Sequence, residues 1–246
     1  MPNFHDVLCK MRGMGINMEA ILKAEGVTKD FGKEKVLKGV TLSIFENTFT
    51  AILGHSGSGK STLLNILSGL MRPTAGKVQY GKEVISEYSE ARLADWKRAE
   101  VGNVFQNYLL LNNLNAKENI KIGISPGKTP IAFDRLTRIL EIDGILDKFP
   151  AQLSGGQQQR VAIARAVIKS PRLLFCDEAT GSLDEANSKK VVELLHNLKS
   201  TFGVTVLFTT HNQQIAETAD RVLTIKDGML HNDIINENPI LAENMV

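Results

Sequence analysis

Short apolar runs rich in β-branched and aromatic residues alternate along this chain with segments whose apolar residues recur at helical spacing. The apolar runs predict strands, because runs of this length and composition suit a buried sheet. They lie at residues 21–24, 41–44, 49–53, 77–80, 101–105, 173–176, 204–209 and 222–225. The helical segments lie at residues 60–70, 160–169 and 186–199. This alternation predicts an α/β fold with a mainly parallel core sheet covered by helices.

Two parts of the chain depart from the alternation. Residues 107–153 contain helical pieces interrupted by Ser125-Pro126-Gly127 and by Phe149-Pro150, and we interpret them as a small helical insertion. Near residues 77–85 and again near 226–228, apolar runs flank a turn that contains glycine, which favours antiparallel pairing and a hairpin. We therefore expect an antiparallel β subdomain beside the parallel sheet.

The composition of the 246 residues is that of an ordinary globular protein, with 43% hydrophobic and 23% charged residues. The 29 Lys and Arg residues against 27 Asp and Glu give a net charge of +2, so we expect no nucleic-acid partner. No apolar run approaches the roughly 20 residues that span a bilayer, so the chain is not expected to cross a membrane by itself. Two distant cysteines, Cys9 and Cys176, argue against a disulfide framework and fit a reducing cytoplasm.

The first 18 residues stand outside this pattern. Charged and polar residues such as Asp6, Lys10 and Arg12 interrupt them, so we do not expect them to form a secretory signal. Met18 immediately precedes the first strand-like pattern, and we hypothesise that translation can start there. We treat residues 1–18 as an N-terminal extension of unknown role and residues 19–246 as one domain.

A phosphate-binding loop is predicted between the strand at 49–53 and the helix at 60–70. Residues 54–61, Gly-His-Ser-Gly-Ser-Gly-Lys-Ser, match the pattern G-x-x-x-x-G-K-[ST] in the strand–loop–helix context that the pattern requires. Backbone N–H groups of such a loop point at phosphate oxygens, Lys60 reaches the β- and γ-phosphates, and the Ser61 hydroxyl binds Mg²⁺. A plain glycine-rich turn is the alternative, which the context disfavours. The predicted nucleotide-binding residues here are Gly54, His55, Ser56, Gly57, Ser58, Gly59, Lys60, Ser61 and Thr62.

Two adjacent acids, Asp177 and Glu178, end the apolar run at 173–176. Successive side chains of a strand point in different directions, so the two acids are expected to have different roles. Asp177 is the candidate ligand of Mg²⁺, through water, and Glu178 is the candidate general base that polarises an attacking water molecule. By itself the pair would be read as a solvated acidic turn, and the upstream phosphate loop reverses that preference.

A third motif, Ser154-Gly155-Gly156-Gln157, precedes the helical segment at 160–169. Alone it could be a flexible connection or another anion-binding helix N-terminus. Together with the phosphate loop and the acid pair, in this order, it resembles the signature of ABC transporter ATPases over about residues 19–230. The resemblance implies a P-loop NTPase fold that uses ATP and Mg²⁺. It also implies head-to-tail pairing with a second ATPase cassette, such as a homodimer, with each ATP between the phosphate loop of one cassette and residues 154–157 of the other.

The resemblance assigns roles to four more residues. Gln106 matches the glutamine that contacts Mg²⁺ or the attacking water, and His211 matches the histidine that contacts the γ-phosphate. Asp184, in Ser182-Leu183-Asp184, matches a loop that crosses the dimer interface and is counted among the expected nucleotide-binding residues. Its local sequence also predicts a helix N-cap, and the two roles are compatible. Phe31 stands where the family has an aromatic residue, most often Tyr, stacked on adenine. Taken alone, these residues would be a strand-end amide, a surface histidine and a core or turn aromatic.

The implied function is ATP hydrolysis that powers a separate transmembrane permease. Residues 105–110 and 114–120 resemble the macrolide-export and lipoprotein-release branch of the family, which favours export of, or resistance to, a peptide, antibiotic or lipoprotein. An amino-acid-type importer and a cassette that signals to a membrane partner, as in cell division, are the alternatives. The expected location is the cytoplasmic side of the cell membrane, peripheral through the permease.

Overall fold

The computed structural model describes residues 20–245. Ten strands are present in this part of the chain: β1 (Ala20–Phe31), β2 (Glu34–Phe45), β3 (Phe49–Leu53), β4 (Ala75–Tyr80), β5 (Glu83–Val84), β6 (Val101–Phe105), β7 (Leu173–Asp177), β8 (Thr205–Thr210), β9 (Arg221–Lys226) and β10 (Met229–Ile235). The α-helices of the same part are α1 (Lys60–Leu67), α2 (Glu90–Glu100), α3 (Ala116–Lys121), α4 (Phe133–Ile139), α5 (Gly155–Val167), α6 (Glu185–Phe202) and α7 (Gln213–Glu217). The predicted extension 1–18 and the Met18 start lie outside the described residues.

The strands form two sheets. The larger has the order β10-β9-β3-β8-β7-β6, in which β9 to β6 are parallel and β10 is antiparallel to β9. The smaller is antiparallel, in the order β2-β1-β4-β5. The predicted α/β fold with an antiparallel sheet and a hairpin at 226–228 is confirmed.

The two faces of the large sheet bury different clusters, because successive residues of a strand point to opposite sides. In β3, Ala51 faces the cluster built with α5 and α6, and Ile52 faces the cluster built with α1 and the small sheet. Helix α1 therefore lies between the two sheets. Both faces of β3 are covered, which is why this strand is apolar except for the buried Thr50 and shows no alternation.

Helix α1 is shorter than the predicted segment 60–70. It ends at Leu67, and Gly69 follows in the left-handed conformation with φ = 71°. That conformation suits glycine and ends a helix. The apolar pattern continues to Leu70, but Leu70 lies beyond the helix and is 46% exposed. The helix boundary at residue 70 was therefore wrong.

Helices α3 and α4 and the 3₁₀ turns Asp143–Ile145 and Pro150–Gln152 lie in the segment between β6 and α5. The side chain of Asn119 in α3 is fully buried. It accepts a hydrogen bond from the Leu111 N–H at 2.8 Å and donates to the carbonyl oxygens of Leu111, Leu114 and Asn115 at 2.9–3.0 Å. One amide thus fixes the loop that leads from β6 into this segment.

Candidate functional site

The loop between β3 and α1 has the shape that a phosphate-binding loop requires. A side chain at Gly54 would clash with the Ile225 carbonyl oxygen, so only glycine fits where the loop passes β9. Gly59 occupies the N-cap of α1 with φ = 101°, a conformation that favours glycine. The Gly228 N–H, in the β9–β10 turn, donates to the Ser58 carbonyl at 3.2 Å. The loop is therefore braced by the neighbouring hairpin.

Lys60 lies at the centre of this loop. Its side chain is 3% exposed, and its ammonium donates to the His55 carbonyl oxygen at 3.0 Å. The same nitrogen lies 3.5 Å from Oε1 of Glu178. A buried ammonium requires such partners, because an unpaired charge away from water is unfavourable. The contact brings the phosphate loop and the acid pair together.

Asp177, at the end of β7, accepts two hydroxyl hydrogen bonds on one oxygen. Ser61 Oγ and Thr209 Oγ1 each lie 2.8 Å from Oδ1 of Asp177. The hydroxyl of Thr209 also accepts a hydrogen bond from the Glu178 N–H at 2.9 Å. Thr209 is fully buried at the end of β8, between β3 and β7. This threonine therefore connects both acids of the pair, and the sequence analysis missed it.

Glu178 follows Asp177 in the left-handed conformation, with φ = 45°. A non-glycine residue in this region is strained, and such residues cluster at functional sites. The carboxylate of Glu178 is partly exposed and lies 3.9 Å from Nδ1 of His211, whose side chain is 65% exposed. Three sequence-predicted residues, Lys60, Glu178 and His211, are thus brought together.

Two clefts meet at these residues. The first, about 570 Å³ in volume, is lined by the phosphate loop from Ser56 to Thr62 except Ser58, by Gln106 and by the acid pair. The second is lined by Gly54, His55, Glu178 and His211. Ser56 and Glu178 line both, so the phosphate loop, the acid pair, Gln106 and His211 surround one continuous concave surface.

The donor set beside this surface fits Mg²⁺. Ser61 and Asp177 present a hydroxyl and a carboxylate 2.8 Å apart, and oxygen atoms of this kind are the ligands that Mg²⁺ prefers. No group of three or more His, Cys, Asp or Glu side chains within residues 20–245 forms a protein-only metal site. Two ligands agree with the usual binding of Mg²⁺, which keeps several waters and shares a substrate phosphate.

The residues of the third motif lie elsewhere. Ser154 is the N-cap of α5: its Oγ accepts from the Gln157 N–H at 3.3 Å, and the Gln157 side chain accepts from the Ser154 N–H at 3.0 Å. The reciprocal pair is a capping box. Residues 154–157 do not line the two clefts formed by the phosphate loop of the same chain.

Asp184 caps α6, as its local sequence predicts. Its carboxylate accepts from the Asn187 N–H at 2.8 Å and from the Asn187 side-chain amide at 2.7 Å. These hydrogen bonds lower the pKa of Asp184, because they favour its charged form. The N-cap interpretation is confirmed, and the role at a dimer interface stays a prediction.

Phe31 ends β1 and is 47% exposed. It pairs with Glu34 across the β1–β2 turn, and Glu34 lines the first cleft whereas Phe31 does not. The Lys29 ammonium lies 5.2 Å from the centre of the Phe31 ring. Phe31 is therefore the cross-strand neighbour of a residue that lines the cleft, and its adenine-stacking role stays a prediction.

No helix within residues 20–245 is both long and apolar enough to cross a membrane. The family model described as "ABC transporter" matches residues 37–181. The lipoprotein-releasing system ATP-binding protein LolD of Cytophaga hutchinsonii is 38% identical over 218 residues, which cover 87% of this chain and all of that protein. The macrolide export ATP-binding/permease protein MacB of Marinobacter nauticus is 41% identical over 228 residues. That match covers 89% of this chain but only 35% of MacB.

The fold is also similar to a solved structure, the dimeric post-hydrolysis state of the ATP-binding cassette MJ0796 bound to ADP and Pi. The TM-score is 0.78 at 35% sequence identity. The match covers 88% of this chain and 99% of the MJ0796 chain.

Proposed function

This chain belongs to the ABC transporter family as an ATPase cassette, and from that premise we propose that it hydrolyses ATP to drive a separate membrane permease. The observation that carries the proposal is the convergence of Lys60, Asp177 and Glu178 on one cleft behind the phosphate loop. Phosphoryl transfer to water requires a cation beside the phosphate, ligands for a metal ion and a group that positions the water. Lys60, the Ser61–Asp177 pair and Glu178 match these three requirements.

In this proposal each group acts on a different atom. The Lys60 ammonium, 3.5 Å from Glu178, neutralises the oxygens of the phosphate that is transferred. The carboxylate of Glu178 accepts the proton of the attacking water. His211, whose Nδ1 lies 3.9 Å from the same carboxylate, contacts the γ-phosphate, and Gln106, which lines the first cleft, orients the water.

Ser61 and Asp177 would hold Mg²⁺, with Gln106 nearby. When bound, the ion neutralises phosphate charge. The Thr209 hydroxyl keeps Oδ1 of Asp177 turned towards Ser61, since both hydroxyls donate to that oxygen. The oxygen atoms of Ser61 and Asp177 are therefore already held next to each other, at the place where both would bind the ion.

A second cassette is part of the proposed function. Residues Ser154, Gly155, Gly156 and Gln157 do not line the cleft of their own chain. Their role in ATP binding therefore requires another copy, placed head to tail. The dimeric MJ0796 cassette, bound to ADP and Pi, supports this arrangement. We propose that two copies of this chain enclose two ATP molecules, so that an isolated copy binds ATP but hydrolyses it slowly.

The membrane partner is supported by exposed apolar side chains in and beside the glutamine loop, which is the loop after β6 that begins at Gln106. Leu111 and Ile122 are 45% and 52% exposed, and Leu109, which also lines the first cleft, is 55% exposed. Asn119 fixes the loop at Leu111, and Arg165 fixes it at Leu109 by donating to its carbonyl at 2.7 Å. Exposed apolar side chains on a loop that is held in place in this way are typical of a protein interface. We propose that a permease docks here, on the cytoplasmic side of the cell membrane, so that the cassette is peripheral to it.

The similarity to LolD and MacB supports the export and release branch over an importer. We propose that the transported compound is a peptide, antibiotic or lipoprotein. Co-purification of the chain with a multi-span permease, followed by transport into vesicles that contain both, tests this step. Uptake of a peptide or macrolide that requires ATP is the expected result, and uptake of an amino acid alone would contradict it.

The decisive experiment for hydrolysis is the variant Glu178→Gln. We expect it to bind ATP but to turn it over at less than about a hundredth of the parent rate, because an amide does not accept the proton of water. With ATP it should elute as a dimer in size-exclusion chromatography. Glu87→Gln, at a surface ion pair with Lys77, is the matched control and should behave as the parent. Parental turnover by Glu178→Gln would show that Glu178 is not the base.

A further inference from the structure

A tyrosine joins three loops that surround the proposed ATPase site. Tyr108 lies two residues after Gln106, and its hydroxyl oxygen is 2.9 Å from Oγ of Ser182. Oγ of Ser182 is in turn 3.2 Å from the carbonyl oxygen of Gln106. The Ser182 hydroxyl has one proton and a carbonyl has none, so Ser182 donates to Gln106 and Tyr108 donates to Ser182. The result is a directed chain of two hydrogen bonds, from the Tyr108 phenol to Ser182 and from Ser182 to the carbonyl oxygen of Gln106.

The backbone holds the phenol in this place at a conformational cost. Tyr108 and Leu109 both adopt left-handed φ values, 57° and 51°. Two consecutive non-glycine residues in this region are strained and persist only where the surroundings enforce them. Arg165 of α5 enforces them here, because its guanidinium donates to the carbonyl oxygens of both residues at 3.0 and 2.7 Å.

Glycines in the neighbouring loops make the close approach possible. A Cβ at Gly155, in the first turn of α5, would lie 2.9 Å from the Tyr108 hydroxyl. A Cβ at Gly181, next to Ser182, would lie 2.9 Å from Nε2 of Gln106. The phenol is therefore in contact with the start of α5 and with the loop before α6 at the same time. Tyr108 itself does not line the cleft that Gln106 and Leu109 line.

We propose that Tyr108 is a positioning residue for ATP hydrolysis, which acts by holding the Ser182–Asp184 loop against the glutamine loop of the same chain. This inference rests on the proposed function. The residue does not reach the cleft, so it acts on the hydrolysis rate through Gln106 rather than on nucleotide binding. The hydroxyl is the part that matters, because the ring of a phenylalanine fills the same space without donating.

The test is Tyr108→Phe, which removes one oxygen atom and leaves the ring and the backbone in place. We expect kcat to fall about three- to ten-fold, the equivalent of one hydrogen bond, with KM and ADP affinity within about two-fold of the parent. Ser182→Ala should give the same loss. The double variant should be no slower than either single variant, because all three break the same chain of hydrogen bonds.

The matched control is Tyr80→Phe. Its hydroxyl donates to Glu100 at 2.7 Å, away from the cleft, so kcat should not change. An unchanged kcat in Tyr108→Phe, or losses from Tyr108→Phe and Ser182→Ala that multiply, would overturn the proposal. A rise in KM without a fall in kcat would also overturn it, because that result points to nucleotide binding.

Hydrogen exchange separates this inference from the proposed function. Amides of residues 181–184 should exchange several-fold faster in Tyr108→Phe than in the parent, whether or not the parent hydrolyses ATP. A parent that does not hydrolyse ATP in the presence of its permease contradicts the proposed function. Unchanged exchange in Tyr108→Phe contradicts the tether itself.

Discussion

Replacement of Thr209 by valine tests the buried connection between the two acids. Valine keeps the shape and branching of threonine, so the packing at the end of β8 is preserved and only the hydroxyl is lost. The Glu178 N–H then loses an acceptor at 2.9 Å, and Asp177 loses one of two hydroxyl donors at 2.8 Å. The variant therefore isolates the contribution of hydrogen bonding at this position.

The expected cost follows from the burial of the group. Thr209 is fully buried and its hydrogen bond with the Glu178 N–H is partly buried, so leaving that N–H without its acceptor costs about 1–3 kcal/mol. The lost hydrogen bond to the Asp177 carboxylate adds to this cost. That addition is small because Ser61 still donates to the same oxygen. We expect the free energy of unfolding to fall by about 3 kcal/mol in total.

Catalysis is expected to fall as well. The Thr209 hydroxyl holds the backbone at Glu178, where φ is 45°, so its loss frees the carboxylate from its place beside Lys60. We expect kcat to fall by about ten-fold or more, since a displacement of 1 Å in a reacting group can cost about a hundred-fold. Urea denaturation and steady-state ATPase rates measure the two effects separately.

Thr209→Ser is the matched control, because it keeps the hydroxyl and loses only a methyl group. It should lose about 1 kcal/mol of stability and keep most of its kcat. The reasoning is refuted if Thr209→Val is as stable and as active as the parent. A destabilised Thr209→Val variant with parental kcat would show that the hydroxyl supports the fold and does not position Glu178.

Three other predictions concern the adenine, a buried ion pair and a buried histidine. Phe31→Ala should weaken ADP binding in calorimetry by about 1–3 kcal/mol, the value of one stacked base, whereas Phe31→Tyr should not. Asp233→Ala should cost about 3–5 kcal/mol in urea unfolding, because it leaves Arg221, 1% exposed, without the carboxylate that it contacts at 2.6 and 2.7 Å. Burial, with a smaller effect of the Lys199 charge, lowers the pKa of His196 to about 4. The unfolded state then binds the proton more tightly than the folded state. The free energy of unfolding that this histidine contributes is therefore fully present above about pH 6.5, and it should fall by up to about 3 kcal/mol as the pH drops towards 4. His196→Gln should flatten that slope in unfolding measured from pH 4 to 8, and equal slopes would contradict the assignment.

The sequence predicts the main parts of the site because each part follows a buried strand. The phosphate loop follows β3 and the acid pair ends β7, and parallel strands of one sheet direct their carboxyl ends to the same edge. Local pattern and fixed spacing are therefore enough to expect Lys60, Ser61 and Asp177 near one another. The number of residues between the phosphate loop and the acid pair does not matter for this prediction, because the sheet brings the ends of its parallel strands to the same edge.

Thr209 could not be found in the same way. Its role depends on β8 lying between β3 and β7, and on the register that pairs Asp177 with Thr209. Both are long-range properties, which a local pattern does not contain. The only local signal is a polar pair, Thr209-Thr210, which follows the apolar run Val206-Leu207-Phe208 and precedes His211.

Helix α2 and the long strands of the small sheet show a second limit of prediction from the hydrophobic pattern. Helix α2 buries only Leu93 and Trp96 among its 11 residues, so its apolar face is too narrow to give a clear period. Strands β1 and β2 are each 12 residues long, but their pairing contains register shifts. A shift changes which residues face the core, so the alternation that identifies a strand is lost after a few residues.

Ser154 shows how one side chain can serve both the fold and the proposed chemistry. As N-cap of α5, its oxygen accepts a hydrogen bond from the Gln157 N–H, which uses a lone pair and leaves the hydroxyl proton free. That proton can donate to a phosphate oxygen of ATP held by a second copy while the cap stays in place. Asp184 differs, because its two carboxylate oxygens already accept from Asn187 and a carboxylate has no proton to donate. At an interface it can therefore only accept, so its partner on the facing cassette must be a donor rather than a phosphate.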